Sequence, residues 1–298
     1  MQICGFKIKP GLIVTLLIIV AFKYQLAGLF LMATTVFAGT PNYCSFSRSL
    51  NAIAYNARAY DAAKEFSRSA RLLQRDPVGI DLYQFGSEQL WIKHNSLAGI
   101  CLCKAEQKAD IYQINPSSVH PGDVVLDCGA DVGVFTKKAL QKNASAVIAI
   151  EPSPASILCL NRNFKDEIAS GRVVVYPKGV WDKDDFLELD GDSFLVKKGG
   201  AKVQVPLTTI DKLVQELGLK RVDFIKMDIE GSEREALAGA AETIRRFHPK
   251  MAICVYHFPD DPSVIPGIIK GIDARYKQEC GVCAEEENRI SPHVYFFF

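Results

Sequence analysis

The sequence predicts an α/β fold built on a mostly parallel sheet. Short apolar runs alternate with amphipathic stretches from residue 124 onward, a glycine turn separates the first run from the helix behind it, and acids stand at the ends of successive runs. Val124, Val125 and Leu126 follow the turn pair Pro121-Gly122 and lead to Asp127, the pattern of a buried parallel strand. Past the turn, Phe135, Ala139 and Leu140 recur at helical spacing with Lys137 and Lys138 facing outward. In open α/β sheets such a strand-to-helix switch is where ligands approach the backbone.

Composition narrows the class further. The 298 residues suffice for one large α/β domain or two small ones. A net charge of +1, with no basic stripe interleaved with aromatics, gives no reason to expect nucleic acid as a partner. The 9 cysteines cannot all pair within one chain, and Cys128, Cys159 and Cys254 fall on expected core faces, where they act as small hydrophobes. Cys101-x-Cys103 and Cys280-x-x-Cys283 lie far apart, with Gly281 as their lone turn glycine, so no metal is assigned to them.

Residues 1–10 read as an N-terminal tail, and 11–38 are the most apolar part of the chain, broken only by Lys23, Tyr24 and Gln25. About 20 apolar residues span a bilayer. A mid-span lysine costs about 2.5–3.5 kcal/mol, against about 0.3–0.6 kcal/mol gained from each Leu, Ile, Val or Phe around it. The expectation is therefore a single-pass transmembrane signal-anchor rather than a cleaved signal peptide, with Lys7 and Lys9 favouring a cytoplasmic N-terminus. Residues 39–79 read as a linker with a helix from position 54 to 73, followed by the main domain over 80–298. Within that domain an opening hairpin (82–85 and 90–92) precedes the glycine turn. Further strands are expected at 146–150, 173–176, 222–227, 251–256 and 294–298. Helices are expected at 154–168, 208–218, 232–247 and 268–276, with an antiparallel excursion over 182–202.

The turn itself speaks against a dinucleotide. A pyrophosphate site needs G-x-G-x-x-G, whereas this one reads Asp127-x-Gly129-x-Asp131-x-Gly133 and sets carboxylates where phosphates would lie. A cationic cofactor suits it better, and S-adenosylmethionine carries a sulfonium and an ammonium with no phosphate. Glu151, one βαβ step on, stands where an acid accepts two hydrogen bonds from a ribose diol. Asp182, after the third strand, is a candidate for the adenine amino group. In Lys226-Met-Asp228-Ile-Glu230, strand alternation sends the three charged side chains to one face. His257 follows the next strand and is the histidine placed among these acids, a candidate base for an acceptor hydroxyl. Asp228 and Glu230 offer two oxygens, too few to argue for a metal.

Asp127-x-Gly-Ala-x-x-Gly, Glu151-Pro152, Gly179-Val-Trp-Asp182, Thr209-Ile-Asp-Lys-Leu and Lys226-Met-Asp-Ile-Glu-Gly-Ser-Glu together resemble the FkbM family of S-adenosylmethionine-dependent methyltransferases over about residues 80–298. The resemblance implies a Rossmann-like class I methyltransferase fold with a seven-stranded, mostly parallel sheet. It also implies methyl transfer to a hydroxyl on a sugar or other small-molecule or glycan acceptor. Cofactor roles carry over to Asp127, Gly129, Gly133 and Glu151, and a site role to Asp228 and Glu230. The chain departs from the pattern at Asp131, where Asn is commoner, and at Trp181, where a small residue is usual. The sequence reading thus assigns catalysis to His257, Asp228 and Glu230 and cofactor binding to Asp127, Gly129, Asp131, Gly133, Glu151 and Asp182. Its rival is a catalytically inactive, membrane-anchored scaffold that keeps the fold.

Overall fold

The structure, a computed structural model, describes residues 2–3, 6–7, 26–30, 43–190, 202–286 and 289–298. Helix α1 (Phe46–Ser69) leads into an antiparallel meander of β1 (Arg71–Asp76), β2 (Ile80–Phe85) and β3 (Glu88–Lys93), closed by helix α2 (Leu97–Lys108). Apolar faces of these elements share a small core with Ile80, Leu90, Ile92, Ile100 and Cys159. Asn163 fastens this core to the main domain. Its side chain accepts from the Trp91 amide at 2.7 Å and donates to the carbonyls of Trp91 and Val132 at 2.9 Å each.

The main sheet begins with β4 (Val124–Cys128), α3 (Val134–Gln141), β5 (Ala146–Ile150), α4 (Pro154–Asn163), α5 (Lys165–Ala169) and β6 (Val173–Tyr176). A side sheet of β7 (Gly179–Val180), β8 (Asp185–Asp190) and β9 (Lys202–Thr208) interrupts it. The chain returns through α6 (Ile210–Glu216), β10 (Phe224–Met227), α7 (Glu233–Ala238), α8 (Ala241–Phe247), β11 (Lys250–Cys254) and α9 (Asp261–Ile272). It finishes with β12 (Gln278–Cys280), β13 (Cys283–Glu286), β14 (Arg289–Pro292) and β15 (Val294–Phe297).

Seven strands form the central sheet in the order β12-β15-β11-β10-β4-β5-β6. It is mixed, because β15 runs antiparallel to both neighbours while the remaining pairs are parallel. Both faces are covered, so the strands read as continuous apolar runs. Leu126, Ile148, Ile225 and Ile253 pack on α6 to α9, and Val125, Val147, Phe224 and Ala252 pack beneath α3 and α4.

Several expectations need correction. No helix among the described residues is long and apolar enough to cross a membrane, so the transmembrane anchor expected over 11–38 is not found. Of that stretch the described residues are 26–30, a short helical piece that follows the polar break at Lys23-Tyr24-Gln25, and the rest lies outside the described residues. Gly28 in it is buried against the backbone of Ser49 and Leu50, a protein contact rather than a lipid-facing one. The helix expected over 54–73 starts earlier and gives way to β1. The one long helix expected over 232–247 is two, α7 and α8: the Asp211 amide donates to the Gly239 carbonyl at 3.0 Å, and the Asp211 carboxylate accepts the Glu242 and Thr243 amides at 3.0 and 2.7 Å, capping the start of α8. Cys283 pairs with Cys44 in a disulfide that ties the start of α1 to the C-terminal hairpin. Part of the excursion expected over 182–202 lies outside the described residues.

Candidate active site

Because β10, β4 and β5 are neighbours, their C-terminal ends bring the glycine turn, Glu151 and Asp228 side by side. A cavity of about 460 Å³ opens there, walled by Gly129, Asp131, Glu151, Trp181, Asp228 and Glu230, with Lys93, Glu106 and Tyr112 joining from the N-terminal elements. Among the expected cofactor residues, Asp127, Gly133 and Asp182 are not in its wall.

Glycine is required in the turn for two different contacts. Gly129 has φ +78°, and a Cβ on it would stand 1.9 Å from the Asp228 carbonyl oxygen. Gly133 has φ +94° and lies against Phe164, 2.1 Å from where a Cβ would fall. The first clash is with backbone and cannot be relieved by a side-chain rotation. Gly129→Ala is therefore expected to lower stability by about 3 kcal/mol or more, read as a fall in thermal midpoint.

The carboxylates of the turn do not face the cavity bare, which changes the electrostatic account drawn from the sequence. Asp127 is fully buried beneath the turn, accepting from the Thr136 hydroxyl at 2.6 Å and paired with Lys226 at 3.2 Å. Strand register explains the pairing, since Lys226 stands opposite Asp127 across β10 and β4. The same ammonium donates to the carbonyls of Gly129 and Cys128 at 2.7 and 3.2 Å, so Lys226 braces the turn from below. Asp131, at φ +46°, is paired with Lys93 at 2.9 Å and accepts from the Ser156 hydroxyl at 2.8 Å. Left-handed backbone tolerates Asp and Asn better than most side chains.

Glu151 is the acid that the cavity isolates. It is 1% exposed, and its two oxygens accept the amides of Ser153 and Asp131 at 2.8 and 2.9 Å. Burial, with the neighbouring Asp131 carboxylate second, pushes its pKa up to about 7. Each oxygen keeps a lone pair for a donor arriving from the cavity.

A second cluster gathers around Asp228, in which Asp228 and Glu230 line the cavity whereas His257 lies behind its wall. Asp228 accepts from the phenols of Tyr112 at 2.6 Å and Tyr256 at 3.3 Å. Against burial, the cations of Lys226 and His257 hold its pKa below the usual range. Glu230 occupies left-handed backbone at φ +56°, a strained conformation for a long side chain. Burial and the Asp228 charge raise its pKa. His257 lies with Nε2 3.6 Å from Asp228 and 3.7 Å from Glu230, and with Nδ1 3.1 Å from Glu233. Burial alone would lower its pKa, but the three carboxylates raise it to about 9. In that state the imidazole carries its proton at neutral pH. Asp182 stands apart, exposed beyond the cavity wall.

Lys93, Tyr112, Tyr256 and Glu233 are the site residues that the sequence reading missed. Glu233 has a legible signal, but its place in the first turn of α7 is equally explained by the helix dipole. Lys93 and Tyr112 come from elements whose approach to the turn is decided by tertiary packing alone.

The sheet order, its antiparallel β15 and a cavity at the glycine turn define a class I methyltransferase architecture. Residues 127–278, half of the chain, match the family model described as the methyltransferase FkbM domain, and the chain belongs to that family. It is 26% identical over 160 residues to 31-O-demethyl-FK506 methyltransferase FkbM of Streptomyces tacrolimicus, covering 42% of this chain and 62% of the relative. It is also 26% identical over 147 residues to 2-O-methyltransferase NoeI of Sinorhizobium fredii (strain NBRC 101917 / NGR234), covering 42% and 60%. The chain thus spans about three fifths of the length of these curated relatives. A solved FkbM methyltransferase structure from Methylobacillus flagellatus KT aligns with a TM-score of 0.48 at 19% identity, covering 84% of this chain and 62% of that one.

Proposed function

We propose that this chain transfers a methyl group from S-adenosylmethionine to a hydroxyl of a small-molecule or glycan acceptor. The observation that carries the reading is Glu151, a buried carboxylate at a strand tip, opening onto a cavity whose floor is glycine because no Cβ fits. Those residues fit the cofactor. Glu151 would take the ribose diol, and the Gly129 backbone permits the close approach that a nucleoside in this cleft requires. When bound, the cofactor supplies a methyl group on a positively charged sulfur, which leaves as a neutral thioether.

The protein's part is to position and to accept a proton. Asp228, pinned by two phenols, is a fixed carboxylate in the cavity wall. Glu230 lines the same wall, and its raised proton affinity suits it better than His257 to accept the acceptor's hydroxyl proton. In the protonated state His257 holds the carboxylates in place rather than acting as base. Positioning is the larger contribution, since transfer from a sulfonium consumes charge rather than creating it.

The test is transfer of labelled methyl from S-adenosylmethionine to a panel of hydroxylated sugars and secondary metabolites. A labelled O-methyl product that falls at least tenfold with Glu230→Gln supports the reading. Cofactor binding without transfer to any acceptor is the result expected of an inactive scaffold.

Cofactor affinity should depend on pH through Glu151. Ribose hydroxyls donate to the ionised carboxylate, so binding favours loss of the Glu151 proton. Affinity is then expected to be flat above pH 8 and to weaken about tenfold per pH unit well below the pKa of about 7. Calorimetric titration between pH 5 and pH 9 checks it, and an unchanged dissociation constant across that range would speak against the Glu151 contact.

A further inference from the structure

We infer that Asp228, Glu233 and His257 form a binding site for one divalent first-row cation, beside the cavity whose wall Asp228 joins. One donor atom from each residue lies within 4.8 Å of the others, close enough for one ion to gather them with small side-chain movements. Glu230 adds a fourth oxygen, 3.7 Å from His257 Nε2.

One oxygen of the cluster is left unsatisfied by the protein itself. Glu233 is 1% exposed, and its Oε1 accepts the Ile229 amide at 2.8 Å, yet its Oε2 has no hydrogen-bond partner. The His257 side chain is 9% exposed, and its Nδ1 faces Glu233 at 3.1 Å while its Nε2 faces Asp228 and Glu230 at 3.6 and 3.7 Å. A buried carboxylate oxygen left unpaired is costly, and one that converges with an imidazole and a second carboxylate is the arrangement a cation would repay. The nearest lysine does not resolve it, because the Lys226 ammonium is engaged by Asp127 and by the carbonyls of the glycine turn.

Charge points the same way. Three carboxylates around one imidazole leave an excess of negative charge, and a divalent ion, which would displace the His257 proton to solvent on binding, offsets it more fully than that proton does. The donor chemistry names the class: carboxylate oxygens suit Mg²⁺ and Mn²⁺, while an imidazole nitrogen favours a first-row transition ion, so Mn²⁺ satisfies both. The sequence offered only Asp228 and Glu230 for such a role. The fold supplies Glu233 from α7 and His257 from the end of the neighbouring strand.

The experiment is titration of the chelator-treated full chain with Mn²⁺, followed by calorimetry and by loss of the free-ion paramagnetic resonance signal. One ion per chain is expected, with affinity falling at least tenfold in Glu233→Gln and in His257→Gln. An Asp123→Asn control, outside the cluster, should match the parent chain. Gln at 233 can still accept the Ile229 amide, and circular dichroism confirms that each variant is folded. No saturable binding of Mn²⁺, or binding unchanged in both folded variants, overturns the inference. S-adenosylmethionine is titrated separately on the same samples. Mn²⁺ binding without cofactor binding sinks the proposed function and leaves the cation site standing, whereas the converse sinks only the site.

Discussion

Replacing Glu151 with Ala is expected to weaken S-adenosylmethionine binding by about 100- to 1000-fold, roughly 3–4 kcal/mol. The magnitude follows from chemistry at one carboxylate. A ribose diol donates two hydrogen bonds to it, each to a charged acceptor in a buried setting, and such bonds contribute about 1.5–3 kcal/mol apiece. Part of that is returned by water entering the enlarged cleft. Alanine also strands the amides of Ser153 and Asp131, which now donate to Glu151, so some loss of stability accompanies the loss of affinity. Glu151→Gln separates the two effects: its amide oxygen accepts one of those amides, while its NH₂ cannot accept from the ribose. Titration calorimetry on both variants, at a temperature where both are folded, should therefore show the amide variant, which strands one backbone amide rather than two, still well over tenfold weaker in affinity than the parent, with thermal melts placing its stability between those of the parent and the alanine variant. Equal affinity in all three would remove Glu151 from the cofactor site.

Replacing Lys226 with Met is expected to cost about 3–5 kcal/mol of stability, because it leaves Asp127 as an unpaired charge in the core. Asp127 is wholly buried, and after the substitution only the Thr136 hydroxyl still donates to it. The Gly129 carbonyl loses the ammonium and the Cys128 carbonyl keeps only the Asp228 amide, so the damage falls on the glycine turn beside the cavity. For a domain of this size the thermal midpoint should fall by roughly 10 °C. The pair, rather than the lysine alone, is the unit. Adding Asp127→Asn to Lys226→Met removes the buried charge while keeping an acceptor for Thr136, and should recover more than half of the loss. Failure to recover would mean that Lys226 acts chiefly through the carbonyls it braces.

The parts of this fold that the sequence discloses are those decided locally. Val124–Cys128, Ala146–Ile150 and Phe224–Met227 are short apolar runs between turn signals, and each is a strand of the central sheet. Helix α2 went unread because its small and cysteine-rich face, Ile100, Cys101 and Ala105, carries little of the apolar stripe that marks a helix. The break between α7 and α8 is capped by Asp211, which bonds the Gly239 carbonyl and the Glu242 and Thr243 amides from a segment about 30 residues away in sequence.

The candidate site divides along the same line. Glu151, Asp228 and Glu230 were legible because strand ends in a parallel sheet share an edge. Asp127 sits on that edge as well, but its carboxylate points down to Lys226 rather than into the cavity, and only the register of β10 against β4 reveals it. The sequence argument that two bare acids in the turn attract a cation does not hold once Lys226 and Lys93 are in place. The case for the cofactor rests instead on Glu151 and on the glycine floor.

The central claim is that the cavity takes S-adenosylmethionine and not a dinucleotide. Calorimetric titration of the full chain at pH 8, with S-adenosylmethionine and separately with NAD, tests it most directly. Saturable binding of one S-adenosylmethionine per chain, with no heat from NAD, is the predicted result. Binding of NAD, or of neither ligand by a chain shown to be folded, would contradict it.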